Sequence, residues 1–440
     1  VNDVGSVSGL QGASSVAVSV DPDRDVNNPL LDGPLGEYVY ATGVLDDSLV
    51  VFERDPVSGT LDWVMTVSEG DTLNSTLVQG LQGAADVVVS ADGAFVYVAS
   101  QVDDAVAVFA VSASGAGQLR LDFLGAVNDA GQDQAAVPNL VDGLNQSVSL
   151  ALSPDNLNLY VVGANDSAVA VFARDPATGL LTFIEAETDS AALNNSLAGA
   201  ADVAVSSDGG HVYVVGTNSS AVAVFRRNAG NGSLEFIESH DQASSGFDLS
   251  GANSIAISLD GLHLYVTGGL SHSVNVFSRN NDSLSGSYGT LAPLQQLSDE
   301  TGTPGLVGAG DVLVSPDGFH VYVASYQSDA IAFFNRDALD GSLTFMGAIS
   351  NGVGSISGLD GVAALAMSLD GRHLYSAAAV DGAVNAFSRV ADSSCPASGS
   401  GDIDTAVNIA AGGSLLFNLT ATVSTDATGE LINTAAVVAD

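Results

Sequence analysis

Residues 199–237 read GAADVAVSSDGGHVYVVGTNSSAVAVFRRNAGNGSLEFI. Four short runs lie inside this stretch: VAVS, HVYVVG, AVAVF and SLEFI. Each is dense in Val, Ile, Tyr or Phe and is bounded by turn chemistry such as Asp-Gly-Gly, Thr-Asn-Ser-Ser or Asn-Gly. Short β-branched and aromatic runs separated by tight turns predict antiparallel strands joined as hairpins, here four in a row.

The same sentence recurs along the chain. The Phe that closes the AVAVF run returns as Phe52, Phe109, Phe172, Phe225, Phe277, Phe334 and Phe387, at spacings of 57, 63, 53, 52, 57 and 53 residues. Four-stranded units at such a period predict a propeller, whose radial repetition leaves only short, protected strand edges. Seven copies predict seven blades, and the expected fold is all-β with a seven-bladed β-propeller over residues 1–392.

Ser-Pro-Asp-Gly at 315–318, the HVYVA-like second strands and VFARDPATGLLTF at 171–183 resemble the seven-bladed lactonase-type propeller family over residues 1 to about 390. The resemblance implies Arg, His and Glu at the mouth of the central channel, often as a Pro-Arg-His triplet entering an innermost strand. The chain has Ala-Ala-Asp at 84–86 and 200–202, Ala-Asn-Ser at 252–254 and Ala-Gly-Asp at 309–311 instead. A fold of this kind hosts many functions, so the departure predicts a chain that is not an enzyme.

Composition narrows the partners. Of 440 residues, 51 are acidic and 10 basic, a formal net charge of −41, and every basic residue is Arg. A polyanion of this size excludes nucleic acid as a ligand and predicts association that depends on salt or cations. Hydrophobic residues make up 46%, enough for a cored globular chain, and no run approaches the ~18 apolar residues of a membrane-spanning helix. The first residue is Val1 with no signal peptide after it, which predicts a processed or excised segment.

The seventh copy stops after Phe387 and Arg389 without a GxLTF strand, and NDVGSVSGLQG at 2–12 matches NGVGSISGLDG at 351–361, which follows such a strand. Blade seven therefore lacks its outer strand at both ends of the repeat array. Residues 393–440 differ in kind, with three predicted strands near 404–409, 414–423 and 430–439. GSGDIDTAVNIAAGGSLLFNLTATVSTDATGELINTAAVV resembles the second half of the immunoglobulin-like module called domain of unknown function eleven, found in bacterial surface proteins. This implies a partial immunoglobulin-like β-sandwich module over 393–440. Two incomplete β-modules predict completion between molecules, a head-to-tail homopolymer built by strand addition. The alternative is that residues 404–440 fold back and complete blade seven in the same molecule.

Candidate sites are few. Asp21, Asp23, Asp25 and Asp32, in DPDRDVNNPLLD, take the first, third, fifth and twelfth places of a calcium loop, although Val26 stands where such loops need Gly. Calcium is accordingly the one cofactor considered, beside a solvated acidic loop. Asp86, Asp202 and Asp311 recur at the start of innermost strands, either as a cation-binding ring or as backbone caps. His211, His263, His320 and His373 share one repeat position, and Arg54, Arg174, Arg227, Arg279, Arg336 and Arg389 share another, which predicts structural roles repeated with the blade; only His240 and His272 are off-register. Glycosylation sequons fall at Asn74, Asn145, Asn165, Asn194, Asn218, Asn231, Asn281 and Asn418, and Cys395 is a candidate for an intermolecular disulfide. The combined expectation is a secreted structural protein, extracellular or at the cell surface, that forms a filament or layer. A lactonase-like hydrolase using the channel, or an adhesin head, is the alternative.

Overall fold

The computed structural model of the chain describes residues 7–19, 37–113, 119–129, 141–354 and 356–389. Six four-stranded antiparallel sheets and one three-stranded sheet follow one another, each ordered from the innermost strand outwards as the chain runs. Blade 1 comprises Ala13–Val18, Glu37–Gly43, Ser48–Arg54 and Leu61–Ser68, and blade 4 comprises Ala200–Val205, His211–Gly216, Ala221–Arg227 and Leu234–His240. The innermost strands neighbour one another around the ring, and Val362–Met367 of blade 7 lies against Ala13–Val18 of blade 1, so the ring closes. No helix among the described residues is long and apolar enough to cross a membrane.

The sequence pattern explains each layer. In blade 4 all six residues of His211–Gly216 are buried, because this strand is covered on both faces by the flanking blades. Its run HVYVVG is for that reason continuous rather than alternating. The outer strand Leu234–His240 faces solvent on one side and mixes polar with apolar residues. Between the third and fourth strands a bulge sets Phe against an aromatic partner: Phe172 on Phe183, Phe225 on Phe236 and Phe334 on Phe345, with ring centroids 5.6, 5.7 and 5.6 Å apart. Edge-on aromatic pairs of this kind add about 0.5–1.5 kcal/mol beyond the area they bury.

Repeated arginines join the blades. Arg279 of blade 5 donates to the Tyr213 hydroxyl (2.7 Å), to Asp208 (2.6 Å) and to His211 Nδ1 (3.0 Å), all in blade 4, and to the Gly261 carbonyl of its own blade (2.9 Å). Arg336 repeats the set on Tyr265, Asp260 and His263, and Arg227 on Tyr160, Asp155 and Asn158. Arg54 makes the same bonds across the closing seam, to Tyr375, Asp370 and His373 of blade 7. Arg174 instead lies over the Phe95 ring at 5.1 Å, where Phe replaces His. These arginines and histidines hold blades together, as their recurrence predicts.

Blade 7 has three strands among the described residues, Val362–Met367, His373–Ala378 and Ala383–Ser388. The propeller forms one compact unit, Val1–Val390, and Ala391–Asp440 forms a second. The immunoglobulin-like reading of 393–440, Cys395, Asn418 and the Asp21, Asp23, Asp25 and Asp32 loop lie outside the described residues.

Candidate functional site: the channel mouth

The third residue of each innermost strand alternates around the ring: Ser15, Asp86, Ser149, Asp202, Ser254, Asp311 and, in blade 7, Ala364. The alternation has a physical purpose. Asp86 accepts from Ser15 Oγ in blade 1 (2.6 Å) and from the Leu150 amide in blade 3 (2.8 Å). Asp202 accepts from Ser149 Oγ (2.7 Å) and the Ile255 amide (2.8 Å), and Asp311 from Ser254 Oγ (2.9 Å) and the Leu365 amide (2.7 Å). Each carboxyl group thus ties its own blade to both neighbours. The recurrent Asp residues are backbone caps, and among the described residues they do not converge closely enough to share one cation.

These groups line a depression of about 630 Å³ at the channel mouth, with Ser14, Asn165, Asn218 and Asn253 among its other walls. Among the described residues, no Arg or His is part of that lining. Burial, with help from the charges of Asp311 and Asp86 and against the hydrogen bonds from Ser149 and the Ile255 amide, pushes the Asp202 carboxyl up to about 7. Burial likewise pushes Asp311 up to about 6 and raises Asp86 above the usual carboxylate range. The mouth therefore holds carboxyl groups that exchange protons near neutrality. Each carboxyl has lone-pair capacity beyond the bonds it accepts, so a water or a substrate oxygen can still approach it.

The remaining sequence candidates scatter. His240 bonds Glu238 at 2.9 Å, and His272 Nδ1 accepts from the Gly308 amide at 3.0 Å, so both off-register histidines have structural partners. Asn74, Asn165, Asn194, Asn218, Asn231 and Asn281 are exposed, while Asn145 is half-buried. One acidic group escaped the sequence reading. Asp129, Asp142 and Asp166 stand together between blades 2 and 3, but they accept from the amides of Leu144, Gly143 and Asn145. Their spacing of 13 and 24 residues matches no metal-loop pattern, so only the fold brings them together.

The lactonase family of seven-bladed β-propellers, described as "Lactonase, 7-bladed beta-propeller", matches residues 30–191, 129–249 and 248–404. The chain belongs to this family. No curated protein matches the chain. Among solved structures it is similar to a putative 6-phosphogluconolactonase from Bacteroides uniformis at 20% identity and a TM-score of 0.54, over 71% of this chain and 82% of that one. It is similar to the periplasmic gluconolactonase of Pseudomonas aeruginosa at 22% identity and a TM-score of 0.55, over 77% and 85%. A protein from Lactobacillus plantarum matches at 21% identity and a TM-score of 0.58, over 79% and 87%. At these identities the structural likenesses establish the fold.

The family match overturns the expectation that the chain is not an enzyme, and the filament role gains no support from any of these likenesses. The sequence reading equated a missing cationic triplet with missing chemistry. Carboxyl groups held near neutrality by burial move protons as readily as histidine does.

Proposed function

We propose that the chain is a hydrolase that opens an uncharged lactone at the channel mouth. The observation that carries this reading is the trio Asp86, Asp202 and Asp311 in one depression, with Asp202 and Asp311 held at about 7 and about 6. In its ionised form Asp311, the more acidic of the two, takes a proton from a water that attacks the ester carbonyl carbon. Protonated Asp202 gives a proton to the ring oxygen as the acyl–oxygen bond breaks. Lactone and water are thereby converted to a hydroxy acid, and the proton count balances. The product is an anion at neutral pH, and an acidic mouth repels it, which favours release. A phosphorylated lactone meets the same repulsion, with no cation among the described lining residues to offset it.

An exported location, extracellular or at the cell surface, accords with this reading, since one neighbour is named a periplasmic gluconolactonase. The test is hydroxy-acid release from glucono-δ-lactone and from its 6-phosphate, followed by titration at constant pH. The neutral lactone should be the better substrate, and Asp202→Asn should lower kcat by ~100-fold or more, as expected for loss of a general acid. Hydrolysis of neither lactone above the buffer rate, or preference for the phosphate ester, would overturn the assignment.

A further inference from the structure

The wall of the channel mouth changes character from blade to blade. The residue after each second strand donates its amide to the carbonyl just before the innermost strand of the same blade, as Val44 does to Gly12 and Tyr326 to Gly308. In blades 1 to 4 that residue, Val44, Gln101, Ala164 or Thr217, is part of the wall of the depression. Blades 5 and 7 have Gly269 and Ala379 there, and blade 6 has Tyr326. Blade 6 alone thus places an aromatic ring at this position, and the residue is 47% exposed. A side chain that recurs with the blade is explained by the blade, as the joining arginines are, but one that occurs once needs a reason of its own.

Tyr326 has an apolar companion. A Cβ on Gly361 of blade 7 would sit 3.1 Å from Tyr326 Cε2 and 2.6 Å from Val380 Cγ2, so side chains from two blades bear on one glycine. Val380 is 58% exposed. Single exposed apolar side chains are commonplace on protein surfaces, but two that meet across a seam beside a polar depression mark a place where something binds. The second and third residues of the blade 7 innermost strand, Ala363 and Ala364, stand where blade 1 has Ser14 and Ser15 and blade 5 has Asn253 and Ser254, and both line the depression. Gly310 holds the second place in blade 6, and a Cβ there would meet nothing closer than 3.7 Å, which leaves room beside Asp311. Asp311 pairs with Ala324, two residues or ~7 Å along the strand from Tyr326, and accepts from the Leu365 amide of blade 7. An apolar notch with Tyr326 and Val380 as its lips therefore opens between blades 6 and 7, next to Asp311. The Asp202 end differs: Thr217, Asn218 and Asn253 line it, the two Asn being exposed.

We propose that this notch receives an alkyl chain carried on the carbon next to the lactone carbonyl, which makes the substrate an α-alkyl lactone. The inference rests on the hydrolase reading, because that reading fixes which end of the lactone lies where. Asp311 activates the water that attacks the carbonyl carbon, so the carbonyl and its α carbon lie on the side of blades 6 and 7. Asp202 protonates the ring oxygen, so the carbon beyond that oxygen lies towards Thr217, Asn218 and Asn253, whose amides and hydroxyl suit hydroxyl groups. A chain on the α carbon meets Ala363, Ala364, Val380 and the Tyr326 ring. The same chain beyond the ring oxygen would strip water from amides and return no hydrogen bond. Charge points the same way, since a chain of net charge −41 repels an anionic substituent and is indifferent to an alkyl one. Burial of one methylene is worth about fourfold in affinity, so a preference of about tenfold needs only two of them in the notch.

Two isomeric lactones separate the positions: δ-valerolactone with a pentyl group on the α carbon, and δ-decalactone, which carries the pentyl group on the carbon beyond the ring oxygen. With each rate divided by that of the hydroxide-catalysed reaction, the full-length chain should hydrolyse the α-pentyl isomer with a kcat/KM at least about tenfold higher. Tyr326→Ser and Val380→Asp should each bring the ratio of the two isomers down by about fourfold or more, and Tyr326→Phe should keep it, because the ring and not the hydroxyl makes the contact. Equal kcat/KM for the two isomers, or a ratio that neither Tyr326→Ser nor Val380→Asp changes, would overturn the notch and leave the hydrolase reading in place. Calorimetric binding of both isomers to the Asp202→Asn chain distinguishes the other failure. Tighter binding of the α-pentyl isomer, weakened by Tyr326→Ser, with no hydrolysis by the native chain, would uphold the notch and overturn the hydrolase reading. Equal binding of the isomers, or none, with no hydrolysis would overturn both.

Discussion

At the scale of single residues, the carboxyl groups of the channel mouth define a pH signature of opposite sign to that of ordinary surface acids. Asp202 titrates at about 7 in the folded chain and near 4 when unfolded. Because its folded value is raised, its contribution to stability is complete below the unfolded value and is lost as pH rises through about 7. The aspartates bound to the blade-joining arginines behave the other way. Asp155, Asp208, Asp260 and Asp317 are all held below the usual range despite the opposing effect of burial, by serine and backbone hydrogen bonds and then by Arg227, Arg279, Arg336 and Arg389 respectively. Their contribution is present at neutral pH and is lost on acidification below about 4. Asp202→Asn removes only the first behaviour. Its Tm difference from the native chain should therefore shift in favour of the variant between pH 5 and pH 8, as the native carboxyl ionises. A pH-independent difference, read by calorimetry in buffers matched for ionic strength, would mean that the group ionises at its ordinary value.

At the scale of the blade, the interlock between one blade's fourth-strand entry and the previous blade's second strand explains why Gly recurs there. Gly289 has φ +86° and its carbonyl receives the Tyr213 hydroxyl at 2.8 Å, while the His211 ring occupies the space of a Cβ. Gly289→Ala should cost ~2–3 kcal/mol from strain and displacement of the ring. Gly286→Ala, three residues away, meets nothing within 4 Å and should stay within about 0.5 kcal/mol of the native chain. Urea midpoints of the two variants check the difference, and an equal small effect would show that the ring moves aside freely. The element level was also the most legible in the sequence, since period, strand number and turn chemistry are local. Phe52 to Phe387 marked the blades, and the shared positions of Arg279 and His211 marked them as structural. The Ser and Asp alternation at the mouth was half visible: Asp86, Asp202 and Asp311 could be read, but the bonds from Ser15, Ser149 and Ser254 cross between blades and need the ring. Their raised proton affinity was not legible at all, because burial is set by the assembled channel.

At the scale of the whole molecule, a seven-bladed ring cannot alternate Ser and Asp without a break. The carboxyl bridges run from blade 1 to blade 7 through Asp86, Asp202 and Asp311, and Ala364 leaves the seam between blades 7 and 1 without one. Apolar packing of Leu10, Ala13 and Val16 with Tyr375, Ala377 and Val384 covers that seam, and Arg54 is its one arginine joint. The seam between blades 1 and 2 has the reverse arrangement. It carries the Asp86 bridge, and Val111 stands where the other blades have Arg. Each of these two seams therefore has only one of the two repeated fastenings, the carboxyl bridge or the arginine joint, whereas the seam between blades 4 and 5 has both, Asp202 with Ile255 and Arg279 with Asp208, His211 and Tyr213. Breaking a buried ion pair from one side costs about 3–5 kcal/mol wherever it is done, so equilibrium stability alone should not separate the two arginines. Unfolding kinetics should. A ring that opens does so first at its weakest seam, and contacts that break only after the rate-limiting step do not affect the rate. Arg54→Met should accelerate unfolding in guanidinium by about tenfold more than Arg279→Met, the equivalent of ~1.4 kcal/mol at the barrier. Equal acceleration would mean that the blades separate without a preferred seam, and that the apolar contact of Leu10 and Val16 with Tyr375 and Val384 does for blades 7 and 1 what the carboxyl bridge does elsewhere.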